Sequence, residues 1–130
     1  MGLPAAKSGD QITATDTHIE MVPSPGGPVA TPKPHPFSGV INGNLSSDVN
    51  IMGRPAATVG STAHNEPTHI PSSGTFQVQP SNQATIELGS ATVKINGNRA
   101  ARHGDVATTC NDPVPLRAGT VVAAGTVYIG

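Results

Sequence analysis

Apolar residues alternate with polar ones in short runs along this chain, and that two-residue period predicts strands rather than helices. In residues 84–95, "ATIELGSATVKI", Ile86 and Leu88 fall in one phase and Val93 and Ile95 in the other. The phase shifts across Gly89 and Ser90, as a turn or bulge would make it do. Val49 and Ile51 alternate in the same way, as do Phe76 and Val78, and "GTVVAAGTVYIG" at the C-terminal end predicts a hairpin or a bent strand pair. Asn-Gly, a strong short hairpin signal, occurs in "INGN" at 41–44 and again at 95–98. No segment sustains a helical period with caps, so the expected fold is all-β.

Repetition organises these strands. "PAAKSGD" at 4–10, "PAATVGS" at 55–61 and "RAARHGD" at 99–105 share Ala-Ala, two intervening residues, Gly, then Asp or Ser. A chain of 130 residues built on three such copies is expected to form one domain, 1–130, with pseudo-threefold symmetry. Between the first and second copies, residues 22–37, "VPSPGGPVATPKPHPF", have the composition of a proline-rich loop or linker.

Composition adds a difficulty that the strands alone do not solve. Aromatic residues make up 2% of the chain, Trp is absent, and Gly and Pro number 15 and 13. At about 25 cal/mol per Å² of buried apolar surface, so few large side chains leave a thin core. Small folds in that position usually rely on a metal, a tight architecture or a partner. A net charge of −1, with no basic cluster and almost no stacking residues, argues against nucleic acid. The N-terminal stretch lacks the apolar run of a signal peptide, and no segment approaches a membrane span, so synthesis in the cytoplasm is expected.

Metal chemistry is where the single cysteine leads. Cys110 cannot close a disulfide within its own chain. His18 follows Ala5 by 13 positions and His69 follows Ala56 by the same interval, while Cys110 lies ten after Ala100. Packed around a pseudo-threefold axis, His18, His69 and Cys110 converge, and imidazole plus thiolate is a zinc donor set that wants a fourth ligand. His35, fixed between prolines in "KPHPF", is the preferred fourth; His64 is the alternative, although it breaks the repeat equivalence. His103 occupies a surface-type position. A cysteine nucleophile needs a base and an orienting group, and proximity of His103 and Asp105 in sequence does not supply them.

These motifs resemble the proline-alanine-alanine-arginine (PAAR) repeat proteins that sharpen the spikes of contractile injection systems. "THIEMVPSPGGPV", "PHPF", "PTHIP" and "TCNDP" resemble most the tips of phage-tail-like extracellular particles. The motif arginine is kept only as Arg102; Lys7 and Thr58 replace it elsewhere, and Ser61 replaces the aspartate. The resemblance implies a small cone of short β-strands with Zn2+ near its apex, held by His18, His35, His69 and Cys110. It also implies a non-catalytic tip, one chain per spike, that caps a trimeric β-helical spike protein and meets the target membrane only transiently. Such a tip is not a homo-oligomer, and its place is the end of the assembled particle, delivered or released extracellularly. Two rivals remain: an adaptor that docks effector cargo on the spike, and a zinc-dependent hydrolase. The hydrolase needs an open coordination position.

Overall fold

A computed structural model describes residues 2–130. Thirteen strands and no helix run through the described residues: β1 (Leu3–Pro4), β2 (Gln11–Val22), β3 (Val29–Gly43), β4 (Asn50–Ile51), β5 (Arg54–Pro55), β6 (Thr62–Asn65), β7 (Thr75–Phe76), β8 (Gln83–Ile86), β9 (Lys94–Ile95), β10 (Asn98–Arg99), β11 (Val106–Thr109), β12 (Leu116–Val122) and β13 (Tyr128–Ile129). Six of them close into a ring, β2-β3-β6-β8-β11-β12 and back to β2, with every neighbour antiparallel. Closure removes the unpaired edges that would otherwise template aggregation. Each repeat supplies two adjacent strands of this barrel. Three further two-stranded pairs accompany it: β4 with β5 before the second motif, β9 with β10 before the third, and β1 with β13, which joins the two ends of the chain.

The expected threefold symmetry is written in the backbone. The Ala6 N–H donates to the Ala101 carbonyl at 2.9 Å, Ala57 to Ala6 at 3.0 Å, and Ala101 to Ala57 at 3.1 Å, closing a ring of three hydrogen bonds. Ala6, Ala57 and Ala101 have no solvent-exposed surface; at such close approach around an axis, alanine is the side chain that leaves room. Each motif then turns through a glycine with positive φ, Gly9, Gly60 and Gly104, where a Cβ is disfavoured. The last motif residue fastens the turn: Asp10 accepts from the Lys7 N–H, Ser61 from Thr58 and Asp105 from Arg102. Serine therefore substitutes for aspartate without loss of the turn.

Apolar side chains fill the barrel in two layers. Ile12, Phe37, Ile41, Ile86 and Val121 pack with alanines inside the ring. A lower layer joins one pair from each repeat: Ala5 with Ile129, Ile51 with Ala56, and Ile95 with Ala100. The C-terminal stretch bends as expected, with β12 in the barrel and β13 in the lower layer against β1.

Two local expectations change. Residues 95–98 do form a hairpin through Asn96 and Gly97, both at positive φ. Residues 41–44 do not: Asn42 and Gly43 stay in β3, which pairs with β6 through a bulge, and a Cβ at Gly43 would collide with Thr62. The ladder to β6 overrides the local turn signal. Likewise, most of the proline-rich stretch 22–37 is strand rather than loop, and only residues 23–28 turn. Pro32, Pro34 and Pro36 face Ile19, Thr17 and Thr15 across the β2–β3 ladder. They share the parity of Ser38, whose N–H points away from β2 to the Asn65 side chain. Their missing donors thus fall on the outer edge of β3, where proline leaves the ladder intact.

Candidate metal centre

The β2–β3 hairpin outruns the barrel, and along this extension the interior turns from apolar to polar. Asp16, His18 and Glu20 of β2 and His35 of β3 alternate inward with the period of Ile12, and all four are buried. The other two repeats end in loops laid on this hairpin. After β6, residues 66–82 bring His69 inward; Asn82 accepts its N–H at 2.7 Å, and the Asn65 amide meets its Nδ1 at 3.1 Å. After β11, Cys110 and Asn111 reach the flank of β2, where Asn111 accepts the Thr17 N–H and Asp112 the Ile19 N–H.

Three sequence-predicted ligands converge. His18, His69 and Cys110 each place a ligand atom within 4.8 Å of the others, together with Asp16. Cys110 Sγ lies 3.7 Å from His18 Nε2 and 3.4 Å from Asp16 Oδ2, and His69 Nε2 lies 3.0 Å from Asp16 Oδ2. His35 stands at the edge of this group. Its ring centroid is 5.7 Å from that of His18 and 5.4 Å from that of His69, and those two are 5.0 Å apart. Imidazoles bound to one tetrahedral ion at about 2.0–2.1 Å have centroids roughly 5 Å apart; His18 and His69 match that spacing, while His35 lies outside the group whose ligand atoms converge. Phe76 closes the cluster edge-on to His18 and His35. His64 lies in the barrel wall with its side chain exposed, and His103 accepts the Ala123 N–H; neither joins the centre.

Every histidine of the cluster faces a carboxylate: His69 faces Asp16 at 3.0 Å, His35 faces Glu20 at 2.9 Å, and His18 faces Asp112 at 3.5 Å. The His35 and His18 contacts are electrostatic, because neither nitrogen is aligned for a hydrogen bond. Sequence reasoning missed Asp16 and Glu20, although both share the inward phase of His18; Asp112 depends on the path of a loop. Among the described residues, Lys and Arg ion pairs lie only at the motif turns, Lys7 with Asp10 and Arg102 with Asp105. Buried carboxylates need partners: Ser72 and Ser73 supply them for Glu20, and Thr109, His69 and Cys110 for Asp16.

Proton affinities follow from this crowding. Burial pushes the Cys110 thiol up to about 11, and the charge of Asp16 adds to the effect. Burial also lowers His18, against the pull of Asp112. The Ser72 N–H, followed by Ser73 and the Ser72 hydroxyl, holds Glu20 down at about 2. Asp16, His18, His69 and Cys110, gathered and buried together, can hold a metal ion.

Fold and site together define a class: a three-repeat β-cone with a buried histidine, cysteine and carboxylate centre toward its narrow end. The family model for the PAAR motif matches residues 19–116, and the chain belongs to that family of spike-tip proteins of contractile injection systems. No curated protein sequence matches the chain. The family is structural rather than enzymatic. Among the described residues no helix is long and apolar enough to cross a membrane.

Proposed function

We propose that the protein is the zinc-stabilised, non-catalytic tip that caps and sharpens a trimeric spike for membrane puncture. The observation that carries this reading is the threefold base. Three equivalent strand pairs and a ring of three backbone hydrogen bonds let a single chain match the end of a homotrimer. A trimer of tips would carry three apices and could not converge on one point. We assign the ion as zinc, held by His18, His35, His69 and Cys110, since the donors are imidazole and thiolate. Bound there, zinc supplies structural cross-linking, with apparent folding contributions of about 10–16 kcal/mol in small zinc domains.

Asp16 competes with His35 for the fourth place on geometry. The Asp16 contacts with His69 and Cys110 give way once those side chains bind the ion; the Thr109 hydroxyl, which donates to Asp16 Oδ1, remains, and it favours Asp16 as the outer partner. Mass measurement of the assembled spike, with elemental analysis, tests the whole reading. Three spike chains to one tip chain and about one zinc per tip are expected. Three tip chains per spike would refute the symmetry argument, and zinc-free native protein would refute the metal.

A further inference from the structure

Glu20 is left without a role by the ligand assignment, yet it is the most heavily hydrogen-bonded side chain at the centre. It is fully buried on the inward face of β2, two residues from His18. The Ser72 N–H donates to both carboxylate oxygens at 3.0 Å, the Ser73 N–H to Oε1 at 2.9 Å, and the Ser72 hydroxyl to Oε2 at 3.1 Å. Its Oε2 also lies 2.9 Å from His35 Nε2.

A neutral side chain would suffice merely to fasten a loop, and this protein uses them nearby. Asn65 and Asn82 fix His69 by amide hydrogen bonds alone. A buried charge is costly to keep unless its charge is used. Here one carboxylate is tied to three proposed ligands at once: it shares a strand with His18, touches His35, and grips the loop three residues beyond His69.

Beside this grip the wall of the cone is thin. A groove of about 390 Å³, lined by Pro34, His35, Pro36, His69, Ile70 and Ser72 among others, opens between the outer edge of β3 and the same loop. At one end of the groove the Glu66 N–H donates to the Ser38 carbonyl at 3.1 Å, and beyond it Pro34 and Pro36 offer the loop no donors. On the other side Gly74 packs so closely on β2 that a Cβ would overlap the Met21 carbonyl. The loop is therefore seated by Gly74, latched by Glu20 and, on its groove side, tied to β3 at its start through Glu66.

We propose that Glu20 is a positioning residue of the metal centre: by latching Ser72 and Ser73 and facing His35, it keeps His35 and His69 on the ion and the groove closed to ion exchange. The inference rests on the zinc reading above. Outer partners of this kind fix ring orientation and govern how firmly a metal is held.

The test uses the full chain loaded with zinc or cobalt(II). Three variants are compared with wild type: Glu20→Gln, Ser72→Ala, and Asp10→Asn as a control that loosens a motif turn at the far end of the barrel. Metal content, the visible cobalt(II) ligand-field spectrum and the rate of zinc release to a chromophoric chelator are read. Glu20→Gln should keep about one metal per chain, release it at least ~10-fold faster and shift the cobalt spectrum. Ser72→Ala should accelerate release by a smaller factor, and Asp10→Asn should change neither readout. Wild-type release and spectrum in Glu20→Gln would overturn the proposal, and so would equal acceleration by Asp10→Asn, which would make the effect one of general stability. Should Glu20→Gln fail to fold, Ser72→Ala decides: unchanged release and spectrum overturn the proposal. Failure of the zinc reading itself shows separately, as wild-type protein without metal.

Discussion

Zinc affinity should fall about tenfold for each unit by which the pH drops, over a range where most zinc sites have stopped titrating. The cause is Cys110, whose thiol is raised to about 11 first by burial and then by the charge of Asp16. Only the thiolate binds metal. At pH 8 the ion must therefore displace a proton held some three units above ambient, a cost of about 4 kcal/mol at 1.36 kcal/mol per unit. That cost is well inside the ~10–16 kcal/mol a structural zinc supplies, so the site fills, but with a pH-dependent affinity. The sign is fixed: below the thiol pKa, each unit of falling pH makes the proton ten times harder to displace. Competition against a chromophoric chelator at pH 7.5, 8.5 and 9.5 should show roughly a hundredfold gain across the series. His18 does not confuse the slope, because burial lowers its pKa and leaves it no proton to lose there. Calorimetry in buffers of different ionisation enthalpy should count about one proton released. Cys110→Ala should bind more weakly and lose that slope. A wild-type affinity constant within about threefold over the range would refute the thiolate as a ligand.

Two further outcomes probe the site and the barrel. His35→Ala should lose zinc to a chelator that wild type resists, whereas Asp16→Asn should keep the ion with roughly 10–100-fold weaker affinity; the reverse order would make Asp16 the fourth ligand. Gly39→Ala should lower stability by about 2 kcal/mol, or roughly 6–10 °C in thermal midpoint, because its Cβ would meet the His64 carbonyl oxygen at 2.6 Å within a closed barrel. Gly26→Ala, with open space around it, is the control, and equal midpoints for the two would contradict the packing argument.

Legibility in the sequence tracked how locally each feature is determined. The threefold base was legible because axis alanines, positive-φ glycines and turn-capping Asp or Ser are demands of the backbone itself, made three times over. The hairpin expected at 41–44 failed because Asn-Gly is a local signal, and a non-local ladder between β3 and β6 decides the matter. The stretch 22–37 hid a strand because proline count masked the alternation of residues 29–37, with Pro32, Pro34 and Pro36 on one face and His35 and Phe37 inward on the other. His18, His69 and Cys110 were found by repeat spacing. Asp16 and Glu20 carry the same inward phase as His18, but acidic residues in a strand default to the solvent face, and sequence pattern alone does not single them out.

The place where the symmetry fails is also the place where the candidate metal ligands gather, and the two facts have one cause. A threefold fold offers ligands in equivalent sets of three, whereas a structural zinc takes four. One repeat must therefore contribute twice, or a ligand must change kind. In the proposed ligand set this chain does both. The position ten after the first motif alanine is Thr15, Glu66 or Cys110, and the position thirteen after it is His18, His69 or Pro113. The first repeat supplies a second histidine, His35, from the returning arm of its longer hairpin. Lengthening only one hairpin also narrows the cone, since three of equal length would crowd at the axis. The shorter repeats lay residues 110–112 and β7 along the open edge of β2. A tip this thin has no volume for an apolar core, and its interior of Asp16, His18, Glu20, His35, His69 and Asn111 is accordingly polar. An ion at the centre of those side chains converts a poorly packed point into a cross-linked one. On the proposed reading, the rigidity of the tip comes from the residues that depart from the repeat, while those that obey it build the threefold base.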